Sequence, residues 1–447
     1  VTQLDVWRTT ALHRAAASGS VECCKLLLKA KTPLEQPTRS DVKGTGNMVR
    51  AGDTAVHVAV RIDKPLVLRA LVEHGATVNT PNRNNESPLD VAIAERASEL
   101  TGALLVAGGA KRAVWGSHRL SWHGVAAMGL VFFARHFLEN HPRCCLSNLD
   151  DDGLAALHHC ATRGDVPMTS FIAGQPKAEL DVRDRNGGAT ALMMAAGNGH
   201  LEVCRILGQH KADVAEKDKE CRSPLHYAVQ GGHLDVVKWL LQSRRSDVNA
   251  EDTRDRTPLM MAALTGQSVA LCEILVSAKA DIHGIDHQLR TVLHLAATSG
   301  CPETVQYFMD LGLDAAAEDW EGRAPFHCAA AASSANADEA LEVLLPGTDV
   351  NSPLDFQVTA LHIAAAVANT KVVALLLRAD ANVNSVTVDG ATPLLTLCRF
   401  AAAPPSSCLL LIEAGADLAV ADQSGRTALH AVCEVGNVDL AKLLYER

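Results

Sequence analysis

Histidine and cysteine are the residues of this 447-residue chain best suited to chemistry, with 19 of the first and 13 of the second. Imidazole exchanges protons near neutral pH and, with thiolate, is the usual ligand of zinc. The densest grouping is His136, His141, Cys144 and Cys145, followed by His158, His159 and Cys160. Adjacent cysteines chelate one ion poorly, and the spacing matches no common zinc finger. A worn loop with incidental cysteines is the better reading, and neither a metal nor another cofactor is expected. There is no phosphate-cradling Gly-x4-Gly-Lys-Ser/Thr loop, no Gly-x-Ser-x-Gly elbow and no His-Glu-x-x-His pair. Gly44-Thr45-Gly46 stands alone, with no strand before it. With no catalytic constellation, the chain is expected not to be an enzyme.

Most of the remaining cysteines lie in apolar helical stretches, such as Val21-Glu22-Cys23-Cys24-Lys25-Leu26 and Leu271-Cys272-Glu273-Ile274. They read as small buried hydrophobes of a chain kept reduced, in the cytoplasm or the nucleus.

Eight histidines share a register instead. His13, His57, His158, His226, His294, His327, His362 and His430 each hold the fourth place of a segment like Ser223-Pro224-Leu225-His226-Tyr227-Ala228. Such segments begin at Thr10, Thr54, Ser87, Ala155, Thr190, Ser223, Thr257, Thr291, Ala324, Thr359, Thr392 and Thr427. From Ala155 onward they are 33 to 35 residues apart. The interval from Ser87 to Ala155 is two periods long, so a hidden unit is expected near Ser121, where Ser121-Trp122-His123-Gly124-Val125-Ala126-Ala127 keeps almost no signature. That makes about thirteen units, one of them degenerate.

A period near 33 with a T-P-L-H-x-A signature is the mark of ankyrin repeats, and the chain resembles that family over nearly its whole length. Its departures are Asp90, Met193, Met260 and Leu395 in place of histidine. The resemblance implies an all-α solenoid of helix-turn-helix units with β-hairpin fingers, in which the signature histidine bonds locally to tie the turn. It divides the chain into N-terminal repeats over 1–120, with a long finger insertion near 30–53, a degenerate repeat over 121–150 and regular repeats over 151–447. One continuous array is expected. It reads as cut at both ends, since nine residues precede Thr10 and the last unit stops at apolar Leu443-Leu444-Tyr445.

The elements themselves follow from local chemistry. Thr or Ser can cap a helix N-terminus, and Pro at 88, 224, 258, 325 and 393 suits the first helical position, where its missing N–H costs nothing. The first helix is short and Ala-rich and ends at a Gly nine residues after the Thr: Gly19, Gly164, Gly199, Gly232, Gly266, Gly300 and Gly436. The second is amphipathic, as in Val372-Val373-Ala374-Leu375-Leu376-Leu377. An Asp precedes many signature residues by five positions, at 5, 150, 218, 252, 286, 319 and 422. Aromatics are only 4% of the chain, which suits helices packed through small side chains. The longest apolar run, Gly124–Phe133, is too short to span a bilayer.

The net charge is −10, which disfavours nucleic acid as the main partner. By resemblance, partners are other proteins, held along a concave face of finger tips and first helices. The contact positions carried over include Arg222, Arg254, Arg256, His287, Arg290, Trp320, Arg323 and Phe356. Arg222, Arg256, Arg290 and Arg323 would form a ladder suited to an acidic or extended peptide, unless Glu220, Asp255 and Glu321 neutralise them. Trp320 is a candidate hot spot. The function expected is a protein-binding scaffold or regulatory subunit. The alternatives are the recognition part of a larger ubiquitin ligase, lipid transferase or kinase, or the cytoplasmic domain of a membrane channel or adaptor.

Overall fold

The computed structural model describes residues 4–5, 9–38, 49–107, 122–140, 145–243, 245–400 and 403–446. These residues hold 26 α-helices in thirteen consecutive pairs, an all-α repeat solenoid. Two compact units divide it, 1–195 with 202–213 and 196–201 with 214–447. No helix among the described residues is long and apolar enough to cross a membrane.

First helices run 6 to 8 residues and second helices 8 to 10. Helices this short are marginal alone in water, so each depends on its neighbours. In the larger unit the approach is set by paired alanines in one register: Ala262 and Ala263, Ala296 and Ala297, Ala329 and Ala330, Ala364 and Ala365 are all 0–1% exposed. Small side chains let consecutive first helices pack closely. Second helices bury larger ones, including Leu271 and Leu275, Val305 and Phe308, Leu341 and Leu344, and Val373 and Leu376.

The expected terminators are present. The seven glycines nine residues into their units have φ between 59° and 76°, left-handed backbone that closes a helix. The degenerate unit is also a helix pair, Trp122–Ala127 and Val131–Asn140. Its bulk is accommodated by Gly102 on the preceding helix Glu99–Ala107, where a Cβ would come within 2.8–2.9 Å of the Phe132 and Phe133 rings.

The signature histidines do more than tie their own turns. In His226, Nδ1 accepts from the Ser223 backbone N–H at 3.1 Å, and Nε2 donates to the Arg256 carbonyl of the next loop at 3.2 Å. His294 and His362 repeat the pattern, reaching the carbonyls of Arg323 at 2.8 Å and Ala391 at 3.1 Å. In the smaller unit, His13 and His57 reach those of Asp53 and Glu86, both at 3.1 Å. A backbone N–H can only donate and a carbonyl can only accept, which fixes a neutral ring protonated at Nε2. At two of the positions where histidine is replaced the local bond is kept: Asp90 Oδ2 accepts from the Ser87 N–H at 2.7 Å, and Met193 Sδ from the Thr190 N–H at 3.4 Å.

The fingers are shorter than β-hairpins. Only Leu149 with Ala155 and Ile285 with Thr291 form β-bridges among the described residues. The others are turns, because so few residues separate Asp from the signature Thr that one backbone bond closes them. The long first finger lies partly outside the described residues. Its base is held by Thr38, whose N–H donates to the Asp53 carbonyl at 3.0 Å.

Candidate functional site

Each regular finger is built on its aspartate. In the finger before Thr291, Asp286 Oδ1 accepts from the backbone N–H groups of Gln288 and Arg290, both at 2.9 Å. Asp286 Oδ2 meets the Arg290 guanidinium at 2.7 Å. Asp218 with Arg222 (2.8 Å), Asp252 with Arg256 (2.7 Å) and Asp319 with Arg323 (2.9 Å) repeat it. These four carboxylates are buried, while the arginine side chains keep 17–29% of their exposure. Burial opposes ionisation of Asp252, but the Arg256 guanidinium and backbone N–H groups still hold its carboxyl below the usual range.

The arginine ladder is therefore a set of closed clamps. Glu220 and Glu321 add second partners, at 2.9 Å to Arg222 and 3.0 Å to Arg323. The principal neutralising group is the aspartate four residues before each arginine. Sequence reasoning names Glu220, Asp255 and Glu321 instead; the recurrence of Asp and Arg at this i,i+4 spacing is the signal that could have found the aspartates.

Neighbouring fingers are stitched by backbone bonds. The Thr253 N–H donates to the Glu220 carbonyl (3.0 Å), that of His287 to Arg254 (3.1 Å) and that of Trp320 to Gln288 (3.1 Å). The tips differ sharply in character. At 218–222 and 252–256 the exposed residues are Lys219, Glu220, Thr253, Arg254 and Asp255, with the small Cys221 and no large apolar side chain. From 286 onward each finger through 387–391 exposes a large apolar side chain: Leu289 (49%), Trp320 (63%), Phe356 (75%) and Val388 (57%).

A groove of about 650 Å³ opens among these apolar fingers. It is lined by the polar Arg290, Thr298, Glu321, Arg323 and Asp355 and by the apolar Phe356, Ala331, Ala332, Leu354, Val358 and Ile363. Two local departures make the room. The helix Pro325–Ala331 is followed by Ala332 in extended conformation (ψ 136°), with Ser333 where seven other units have glycine. In the next finger Leu354 replaces the aspartate, so no ion pair draws it in, and Phe356 and Gln357 take φ of 59° and 63°.

The structure thus brings Arg290, Arg323 and Phe356 together. Trp320 sits on the adjoining tip, outside the groove lining. His287 is exposed and its Nδ1 donates to the Arg254 carbonyl at 3.0 Å. Arg222, Arg254 and Arg256 lie on the polar fingers, away from the groove.

The histidine–cysteine grouping disperses. His141 and Cys144 lie outside the described residues. His158 donates to backbone carbonyls at 3.0 Å, and His159 pairs with Asp150 at 2.7 Å. Burial pushes the Cys160 thiol up to about 12. Among the described residues no three His, Cys, Asp or Glu side chains are grouped to hold a metal. Burial also lowers the affinity of His13, His57, His158, His226, His294 and His362 for a proton, and brings His327 to about 4. These are neutral structural rings.

Comparison with known proteins agrees with this architecture. The chain is similar to the mouse B-cell lymphoma 3 protein homolog, 28% identical over 211 residues, 46% of this chain and 40% of the relative. Human Rabankyrin-5 is 25% identical over 232 residues, 51% of this chain and 17% of that protein. The NF-kappa-B inhibitor cactus of Drosophila yakuba is 27% identical over 194 residues, 41% of this chain and 37% of that protein. The chain therefore spans well under two thirds of the length of these relatives. The family model for ankyrin repeats in three copies matches residues 12–111, 123–218, 157–252, 213–286, 259–352 and 326–420, and the single-repeat model matches 424–447. With paired helices, capping histidines and finger aspartates recurring at the family's period, the chain belongs to the ankyrin-repeat family.

Proposed function

We propose that this chain is a non-catalytic docking scaffold or regulatory subunit that holds another protein on the fingers of residues 286–391. The observation that carries the reading is the run of exposed apolar tips at Leu289, Trp320, Phe356 and Val388 beside a groove. Apolar side chains that recur on consecutive finger tips beside a groove are the kind of surface a partner protein covers, and Trp is enriched among interface hot spots. One relative carries the name of an NF-kappa-B inhibitor, which supports a regulatory role; the compartment proposed is the cytoplasm or the nucleus.

A second reading is favoured by one finding: the match covers only 17% of Rabankyrin-5. The array would then be the recognition part of a larger chain, using the same surface. Affinity capture from cell extract with wild-type protein and with the Trp320→Ala/Phe356→Ala variant tests both. Protein partners retained by the first and lost by the second are expected. Identical capture by the two would refute docking at these fingers.

A further inference from the structure

The groove's charge identifies its occupant more closely than its apolar walls do. We infer that it takes an extended segment of a partner protein bearing a basic side chain next to an apolar one, a deepening that rests on the docking role proposed above. Two cations face the groove, Arg290 and Arg323, and both are engaged. Arg290 is 2.7 Å from Asp286, and Arg323 is 2.9 Å from Asp319 and 3.0 Å from Glu321. Asp355 stands exposed in the same lining with no basic partner among the described residues. Four carboxylates thus oppose two guanidinium groups. A peptide carboxylate arriving here would meet a surplus of negative charge, and recruiting an arginine for it would leave a buried aspartate unpaired.

A cation meets the reverse situation. Asp355 is free to pair with it, Glu321 is a second carboxylate of the lining, and the Phe356 ring offers a face that attracts positive charge. Leu354, Val358 and Ile363 supply an apolar seat beside these groups. Phe356 reaches its exposed place with a left-handed φ of 59°, a conformation that costs a bulky residue energy and that clusters at binding sites. The chain's net charge of −10 adds long-range attraction for a basic partner.

The test uses two fluorescent nine-residue peptide pools against the full chain, read by anisotropy. Both have leucine at the centre and otherwise mixed neutral residues. One has arginine at the flanking positions and the other glutamate. The arginine pool is expected to bind, increasingly weakly as salt is raised, while the glutamate pool does not. Asp355→Asn should weaken arginine-pool binding by about threefold to fivefold, as for an exposed ion pair. Asp355→Glu should largely restore it, and both variants should melt like wild type. Glutamate peptides binding as well or better, binding by neither pool, or indifference to Asp355→Asn overturns the inference. Partner capture that depends on Trp320 and Phe356 without arginine-pool binding overturns only the basic segment. Loss of both removes the docking role as well.

Discussion

The fingers at 218–222 and 252–256 and those from 286 onward share a scaffold and differ in what they display. Asp218 and Asp252 grip Arg222 and Arg256 as Asp286 and Asp319 grip Arg290 and Arg323, within 2.7–2.9 Å in every case. Yet the first pair ends in Lys219, Glu220 and Arg254, and the second in Leu289 and Trp320, followed by Phe356. The clamp makes the finger, and the tip is free to vary over it. Recurrence therefore marks structure here, and departure from recurrence marks the candidate site.

Breaking the clamp should have the largest effect and should not distinguish the two regions. Asp252→Ala and Asp286→Ala each remove a buried carboxylate that satisfies backbone donors and a guanidinium. Either should cost about 3 kcal/mol in urea unfolding. Trimming the tips should separate the regions. Trp320→Ala and Phe356→Ala should each lose about 2 kcal/mol of partner affinity by calorimetry, with stability changed by less than about 0.5 kcal/mol. Lys219→Ala and Arg254→Ala should leave affinity unchanged, and a loss there as large as at Trp320 would erase the distinction.

Acid should act on both regions through their histidines. His327 binds protons less readily when folded, at about 4 against an ordinary 6.5. Its contribution is complete above pH 6.5 and is lost as pH falls toward 4. Between pH 7.5 and 5.5 this one ring should cost about 1 kcal/mol of stability, and His226 and His294 move in the same direction. His327→Gln should flatten the urea midpoint's pH dependence in that window. The smallest effect is at matched strained positions. Cys221 and Leu289 lie two residues before their signature residue with φ of 60° and 58°. Replacing either with glycine relieves left-handed strain but adds unfolded-chain freedom, for a net gain of about 0.5 kcal/mol. Leu289→Gly alone should also weaken partner binding.

The repeats were legible because their signals are local. Caps, Pro at the first helical position and glycine terminators each act within one turn, so even the unit at Trp122–Asn140 could be placed by counting periods. Three things were less legible. The forward bonds of the imidazoles from His13 to His362 join residues 24 to 40 apart, beyond any local pattern. The turns in place of hairpins depend on how few residues the fingers span. The groove arises where the regular pattern lapses, at Ser333 in the glycine place and Leu354 in the aspartate place. Both lapses are visible in the sequence, but their spatial convergence needs three units stacked.

The imidazole bonds give the array a direction, since the rings from His13 to His362 reach forward to the following loop and none is needed in return. Met260 and Leu395 cannot make that reach, so the joints after them are held by packing and finger bonds without a latch. Under a pulling load these joints should rupture early. They divide the region into short blocks that can part and rejoin while the fingers within each block keep their shape.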